Sequence, residues 1–138
     1  MLDLGAGGGL VAIAAARAGA AHVLAAETDP LARTALALNA EANGVPVTVE
    51  PDDLLDAAPP LEVDVVMVGD LFYAPGLALR TGAFLDRCTA AGLEVWVGDP
   101  FRKPLPSYRL ELVAEFMVAD VGDGAAETRA GAFRWRSA

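Results

Sequence analysis

The residue pattern with the clearest chemical meaning lies at the start of the chain, where an apolar run meets a glycine-rich turn. Gly5, Gly7 and Gly9 alternate in this turn, and Asp3 lies two residues before the first of them. Glycine permits positive φ values and lets the backbone approach a bulky ligand, because no Cβ atom stands in the way. A dinucleotide-binding turn needs a further glycine at the position of Leu10. We therefore expect this turn to bind a large ligand other than a dinucleotide.

A second candidate for ligand binding is Glu27, which follows the predicted strand His22 to Ala26. An acidic side chain about twenty residues beyond a glycine turn, at the carboxyl end of the next strand, is placed to accept hydrogen bonds from ribose hydroxyls. A solvated acid at a strand end is the alternative interpretation. The nearby Asp29 has a simpler role, because an acidic residue directly before Pro30 is typical of a helix N-cap.

Acidic residues also follow the later predicted strands. Asp52 and Asp53 come after Val45 to Glu50, and either carboxylate could simply cap the turn there. Asp70 comes after Val63 to Val68, a β-branched run typical of a central parallel strand. The carboxyl ends of parallel strands meet at one edge of a sheet. We therefore expect one site to gather five strand ends, namely Asp3 to Gly9, Glu27, Asp53, Asp70 to Tyr73 and Asp99.

Three predicted helices must position these strand ends. They are expected over Leu10 to Ala18, Pro30 to Asn43 and Gly76 to Ala91, and a glycine follows each of them. The first helix is apolar on all sides, which predicts that it is buried. Cys88 in the third helix is expected to lie in the core. The second helix should be amphipathic, with an inner stripe formed by Leu31, Ala35, Leu38 and Ala42.

The last part of the chain is predicted to close the sheet. A fifth strand, Leu93 to Val97, is followed by a proline-rich loop that contains Arg102, and then by a short helical piece at Ser107 to Leu112. Two β-like runs separated by an acidic, glycine-containing loop should form a hairpin, Ala114 to Val121 and Gly131 to Arg136. The pattern predicts a single α/β domain over residues 1–138, with a doubly wound, mostly parallel sheet and a C-terminal antiparallel hairpin.

Composition limits the classes of function. Acidic residues outnumber basic ones by 19 to 10, and the formal net charge is −9. Nucleic-acid binding needs a cationic surface, so DNA and RNA are not expected as partners. The acidity either favours a cationic protein partner or serves solubility. Cys88 is the one cysteine, and no membrane-spanning run or secretory signal is present, so we expect a cytoplasmic protein without disulfides or a metal cluster.

The Asp-Leu-Gly-Ala-Gly-Gly-Gly sequence from Asp3 to Gly9 resembles the first motif of the class I, or seven-β-strand, S-adenosylmethionine-dependent methyltransferases. The resemblance implies a Rossmann-like sheet and S-adenosylmethionine as the cofactor. In this family an acid after the third strand commonly receives the adenine amino group, which indicates Asp53, although Asp52 is adjacent. The residues implied in cofactor binding are Asp3, Gly5, Gly7, Gly9, Glu27, Asp53 and Asp70.

The Asp-Leu-Phe-Tyr sequence at Asp70 to Tyr73 resembles the Asp-x-x-Tyr motif of family members that modify lysines in proteins. Together with the Gly-Asp-Pro sequence around Asp99, it is similar to relatives of the enzyme acting on the electron-transfer flavoprotein β-subunit, a group also labelled nicotinamide N-methyltransferase-like. Enzymes that methylate a ribosomal-protein amine carry an Asn-Ile-Leu type of sequence at Asp70 to Phe72, which argues against that label. The resemblance implies a protein substrate, with Asp70 orienting the lysine amine and Tyr73 walling the site as catalytic residues.

Two alternatives to protein-lysine methylation are methylation of a small, nicotinamide-like amine and a truncated fold without catalytic activity. Members of the group that this chain resembles have a helical segment before the first strand. This chain starts inside that strand, with Met1 where relatives have an apolar residue. We therefore expect an N-terminally truncated domain. One face of its sheet would lack a cover and would expose an apolar patch.

Overall fold

The structure is a computed structural model that describes residues 1–119 and 127–136. Residues 120–126, with the predicted end of a strand at Val121 and much of the predicted acidic loop, lie outside the described residues, as do residues 137 and 138. No helix in the described ranges is long and apolar enough to cross a membrane.

The described residues form a mixed seven-stranded sheet. Its strands are β1 (Leu2–Leu4), β2 (Leu24–Ala26), β3 (Thr48–Glu50), β4 (Val65–Gly69), β5 (Glu94–Asp99), β6 (Leu110–Ala119) and β7 (Glu127–Trp135). The spatial order is β3-β2-β1-β4-β5-β7-β6. The first five strands are parallel, whereas β7 is antiparallel to both β5 and β6. The predicted doubly wound sheet with a C-terminal antiparallel hairpin is confirmed.

Three α-helices connect the parallel strands: α1 (Leu10–Arg17), α2 (Pro30–Ala42) and α3 (Pro75–Ala90). The predicted cap of α2 is confirmed, because Asp29 Oδ1 accepts a hydrogen bond from the Leu31 amide at 2.7 Å, with Pro30 in the first turn. The helical piece predicted at Ser107 to Leu112 is shorter, a single 3-10 turn over Ser107–Arg109. It ends there because Leu110 already pairs with Trp135 in the hairpin.

The helices cover the sheet from both sides. On one side, α3 contributes Phe84, Leu85 and Cys88 to a core built on β1, β4 and β5. Burial raises the pKa of the Cys88 thiol to about 11, which agrees with its predicted place in the core. On the other side, a smaller cluster joins α1 and α2 to β2 through Ala12, Ala25 and Leu36. The two layers leave the carboxyl ends of the parallel strands open at one edge.

The predicted inner stripe of α2 is wrong. Leu31 and Leu38 are 78% and 61% exposed, and the buried side chains are Leu36 and Ala40. On the face that packs inward, Leu36 lies beside Gly9, and Asn39 Nδ2 donates a hydrogen bond to the Gly8 carbonyl at 2.8 Å, so this face of α2 meets the glycine turn. The hydrophobic pattern of α2 did not distinguish this face from the predicted one.

The prediction that α1 is buried on all sides is also wrong. Ala12 and Ile13 are its buried residues, whereas Leu10 is 82% exposed. Only the inner side of this helix meets the sheet and α2, so its outer side faces solvent. On the hairpin, Phe116 and Val118 of β6 are 54% and 42% exposed. The apolar patch expected from a missing N-terminal segment stays a prediction.

Candidate active site

The glycine turn joins the end of β1 to α1 in a conformation that needs glycine. Gly5, Gly7 and Gly9 have φ values of 72°, 53° and 85°. A Cβ atom at Gly5 would lie 2.6 Å from Leu71 Cδ2, and one at Gly9 would lie 2.8 Å from Leu36 Cγ. Around Gly7, in contrast, the space is open. The turn therefore packs against neighbouring side chains at Gly5 and Gly9, and it is accessible to a ligand at Gly7.

Gly9→Ala tests this packing. We expect it to lower the free energy of unfolding by about 3 kcal/mol, because the left-handed backbone costs about 1–2 kcal/mol and the fully buried Leu36 must also move. Gly44→Ala is the matched control, since Gly44 also has a positive φ of 63° but no atom near its added Cβ. Urea denaturation measures both variants. Equal losses would show that contact with Leu36 contributes nothing.

Asp3 lies beneath the turn and not on the cleft surface. Its side chain is 2% exposed, and its Oδ2 accepts a hydrogen bond from the Ala12 amide at 2.9 Å. Burial raises the pKa of Asp3 to about 6, the Ala12 bond opposes this rise, and the charge of Glu27 adds to it. The observed contact ties β1 to the first turn of α1, so it positions the glycine turn.

Asp3→Asn is expected to raise the free energy of unfolding at pH 8 by about 3 kcal/mol, since one pKa unit corresponds to about 1.4 kcal/mol. The pKa of Asp3 is about 6 in the folded protein against an ordinary value of 3.8, so the folded state binds the proton more tightly. Stability from this group is therefore lost as the pH rises from about 4 to about 6.

Urea denaturation of Asp3→Asn between pH 8 and pH 4 should show the advantage shrinking as the solution is acidified. The exposed Asp64→Asn serves as the control and should show no such trend. A pH-independent difference between Asp3→Asn and the unmodified protein would contradict the expected burial effect.

Glu27 contacts the glycine turn directly. Its Oε2 accepts a hydrogen bond from the Gly7 amide and its Oε1 accepts one from the Asp29 amide, both at 2.8 Å. The sequence analysis did not predict this contact of Glu27 with the Gly7 amide. Its interaction with ribose hydroxyls stays a prediction.

Asp53 is held by two neighbours. Its Oδ1 accepts from the Leu55 amide at 3.0 Å, and its Oδ2 pairs with Arg80 Nη2 at 2.8 Å. The Leu55 hydrogen bond, followed by that of Arg80, lowers the pKa of Asp53 below its usual value. The turn-capping alternative for Asp53 is therefore observed, and an adenine contact stays a prediction. Sequence reasoning missed Arg80, which comes from the neighbouring helix α3.

A first cleft of about 390 Å³ lies at the carboxyl ends of β1, β2 and β4. It brings together many of the predicted site residues, namely Gly5, Glu27, Asp52, Asp53, Asp70 and Tyr73. Asp3, Gly7 and Gly9 are not among the residues that line it. Tyr73 is 60% exposed at this edge, so its ring is available to a ligand.

Asp70 stands at the end of β4 with a φ of 56°, which is unusual for a residue other than glycine. Its carboxylate binds the Arg102 guanidinium through two hydrogen bonds, from Nε to Oδ1 and from Nη2 to Oδ2, the second at 2.8 Å. Sequence reasoning placed Arg102 in a proline-rich loop that follows Asp99 at the ligand-binding edge. It did not predict that Arg102 pairs with Asp70.

Asp99 fixes the loop that carries Arg102. It is 2% exposed, and its Oδ1 accepts from the Arg102 amide at 2.7 Å. Its Oδ2 is buried without a hydrogen-bond partner among the described residues. Burial is the main cause that raises the pKa of Asp99. Next to it, Phe101 has a φ of 59° and packs edge-on against Phe133, with ring centroids 5.3 Å apart.

A second cleft of about 630 Å³ runs from the ends of β4 and β5 to the hairpin. Its lining includes the apolar residues Phe116, Val118 and Ala130 and the charged residues Asp99 and Arg102. Gly69 and Asp70 line both this cleft and the first one. Asp70 therefore stands where the two clefts meet.

A larger groove of about 900 Å³ lies between α3 and residues 103–109 and contains none of the predicted site residues. Its carboxylate, Asp86, pairs with Arg109 and accepts a hydrogen bond from Trp135 Nε1 at 2.8 Å. These contacts fasten α3 to the hairpin. The acidic residues at the strand ends therefore meet at the junction of the two smaller clefts and not in this groove.

The family model for ribosomal protein L11 methyltransferase (PrmA) matches residues 1–71 of this chain. A rat electron transfer flavoprotein beta subunit lysine methyltransferase is 35% identical over 113 residues, which cover 80% of this chain and 44% of that protein. A ribosomal protein L11 methyltransferase of Dechloromonas aromatica is 45% identical over 73 residues, covering 51% of this chain and 23% of the relative. The chain thus spans about half or less of the length of these relatives.

Solved structures show the same fold. A ribosomal protein L11 methylase from Lactobacillus delbrueckii subsp. bulgaricus superimposes with a TM-score of 0.67 at 22% identity, over 98% of this chain and 68% of that one. A magnesium protoporphyrin IX methyltransferase from Synechocystis, solved with bound SAH, gives a TM-score of 0.65 at 17% identity, over 99% and 73% of the two chains.

The family match ends just after β4, so it includes the glycine turn and Glu27 but only the beginning of the Asp70 to Tyr73 sequence. The distinction drawn from Asp70 to Phe72 therefore concerns the acceptor, where it stays a prediction, and not membership of the family. The glycine turn, the strand order and the match over residues 1–71 agree. This chain belongs to the ribosomal protein L11 methyltransferase (PrmA) family of S-adenosylmethionine-dependent methyltransferases.

Proposed function

We propose that this protein binds S-adenosylmethionine in the first cleft and transfers its methyl group to a lysine side chain of a protein. The observation that carries the proposal is the position of Asp70, which lines both clefts. Ligands bound in the two clefts would meet at this carboxylate. The names of the relatives that act on the electron transfer flavoprotein beta subunit support a protein acceptor.

The residues of the first cleft fit this cofactor. The turn is open at Gly7, and Glu27 is fixed against it with lone pairs left for hydroxyl donors. Asp52, Asp53 and Asp70 add further carboxylates, which suit a ligand that carries a sulfonium and an ammonium group. We assign the glycine turn and Glu27 to holding the ribose side of the cofactor and Asp53, or the adjacent Asp52, to the adenine.

When bound, S-adenosylmethionine supplies a methyl group whose carbon forms a bond to the amine nitrogen while its bond to sulfur breaks and that electron pair stays on sulfur. The protein must present the amine with a free lone pair, aligned with the methyl group. The pKa of a lysine in water is near 10.4, so roughly one amine in a thousand is neutral at pH 7. We assign Asp70 to orienting the amine and Tyr73 to walling the site. The proton released after transfer passes to water.

The second cleft suits the acceptor. The apolar residues Phe116, Val118 and Ala130 in its lining match the aliphatic stem of a lysine, and the carboxylate of Asp70 matches the amine. The net charge of −9 favours a cationic protein as partner. The same charge argues against a nucleic-acid partner, and both this inference and the cytoplasmic location stay predictions.

The test is incubation of the purified protein with isotope-labelled S-adenosylmethionine and electron transfer flavoprotein beta subunit, with ribosomal protein L11 in a parallel reaction. We expect mass spectrometry to find added methyl groups on lysines of the first protein. Labelling of L11 in its place would move the acceptor assignment to the other named relatives. Transfer to nicotinamide but to neither protein would overturn the protein-lysine proposal, and no transfer at all would overturn the enzymatic proposal.

A further inference from the structure

The ion pair between Asp70 and Arg102 affects the protonation state of the acceptor lysine amine. The inference rests on the proposed function, in which Asp70 orients the acceptor lysine in the second cleft. A carboxylate alone favours the charged ammonium form, which has no lone pair for attack. Asp70 is not alone, because Arg102 binds both of its carboxylate oxygens. A fixed positive charge next to an amine favours its neutral form.

The loop is built to keep Arg102 at this place. Asp99 accepts a hydrogen bond from the Arg102 amide at 2.7 Å, which anchors its backbone. Phe101 adopts a φ of 59° and packs against Phe133 of β7. Asp70 itself has a φ of 56°. Aspartate tolerates such a φ, but an aromatic residue such as Phe101 keeps it only where the surroundings enforce it, and such strained residues cluster at functional sites.

We propose that Arg102 is a positioning residue that fixes the Asp70 carboxylate and, through its guanidinium charge, keeps the acceptor amine in its neutral form. The guanidinium group has the properties this role requires, because it stays charged at all working pH values and donates two parallel hydrogen bonds to a carboxylate.

Other charged groups face this junction from the neighbouring elements. Asp99 at the end of β5 is buried, and burial raises its pKa. On the hairpin, Arg129 lies over the Phe101 ring and pairs with Glu115 at 2.6 Å. Across the first cleft are Glu27, Asp52 and Asp53, the last paired with Arg80. Tyr73 follows Asp70, and Lys103 follows Arg102. Among these groups, Arg102 is the cation bonded directly to Asp70.

The first test is the pH dependence of kcat for methylation of electron transfer flavoprotein beta subunit. In Arg102→Gln the rising limb of the pH–kcat profile should move to higher pH by about one unit or more. This shift corresponds to about a tenfold lower kcat at pH 7, and the lost rate should be recovered in alkaline solution. Arg102→Lys keeps the charge and should retain the original limb with a lower plateau. Arg134→Gln removes an exposed pair with Glu94 elsewhere in the sheet and should leave the profile unchanged.

A second measurement needs no turnover. The product protein, carrying a 13C-labelled methyl group on its lysine, is bound together with S-adenosylhomocysteine, and its NMR shift is followed as the pH is changed. The amine should titrate at lower pH in the unmodified complex than in the Arg102→Gln complex. Thermal melting and S-adenosylhomocysteine binding check that each variant is folded.

The same experiments separate two failures. If the unmodified protein methylates its substrate and Arg102→Gln does so with the same pH profile, or faster, the role given to Arg102 is overturned while the proposed function stands. If the unmodified protein methylates nothing at any pH, the proposed function is overturned and this inference falls with it.

Discussion

Glu27→Ala is expected to weaken the binding of S-adenosylhomocysteine by at least about 100-fold, because each hydrogen bond to a charged group contributes about 1.5–3 kcal/mol. The variant loses the proposed ribose contacts and also the bond from Glu27 to the Gly7 amide, which fixes the glycine turn. Calorimetric titration at neutral pH measures the affinity. No change in fold is expected, since Glu27 lies at the open edge of the sheet.

The control for Glu27→Ala is Glu41→Ala, at an exposed position on α2 away from the first cleft. This variant should bind S-adenosylhomocysteine like the unmodified protein. An affinity of Glu27→Ala within threefold of the unmodified protein would refute the assignment of Glu27 and favour its interpretation as a solvated acid.

Asp70→Asn is expected to lower kcat for methyl transfer by about 100-fold, the size of effect caused by a misplaced reacting group. Asparagine keeps the shape of the side chain and accepts the φ of 56° at this position. It loses the negative charge that pairs with Arg102, and an amide NH2 group, which cannot accept a hydrogen bond, replaces one of the two oxygens that Arg102 contacts. The defect should therefore appear in the transfer step rather than in folding.

Single-turnover labelling and calorimetry together check Asp70→Asn. We expect S-adenosylhomocysteine affinity to fall much less than kcat, although Asp70 also lines the first cleft. The control is Asp64→Asn. Asp64 directly precedes β4, is exposed and lines neither cleft. A rate for Asp70→Asn within threefold of the unmodified rate would exclude Asp70 from orienting the amine.

The sequence alone was sufficient for features that depend on neighbouring residues. The turn at Gly5, Gly7 and Gly9 has the predicted positive φ values, and Asp29 caps α2 as its position before Pro30 predicts. The order of strands and helices indicated the doubly wound sheet, and the sheet then placed Glu27 and Asp70 at one edge. Backbone conformation, capping and strand periodicity are local properties, so they are readable from short stretches of chain.

Only the tertiary structure decided which distant side chains meet. Arg102 pairs with Asp70 across 32 residues and Arg80 with Asp53 across 27. The face of α2 that meets the glycine turn, through Leu36 and Asn39, is not the face that hydrophobic periodicity predicted. The two clefts and their junction at Asp70 arise in the same way. Each of these features depends on how the packed sheet and helices bring separate segments within hydrogen-bonding distance, and no local pattern records that distance.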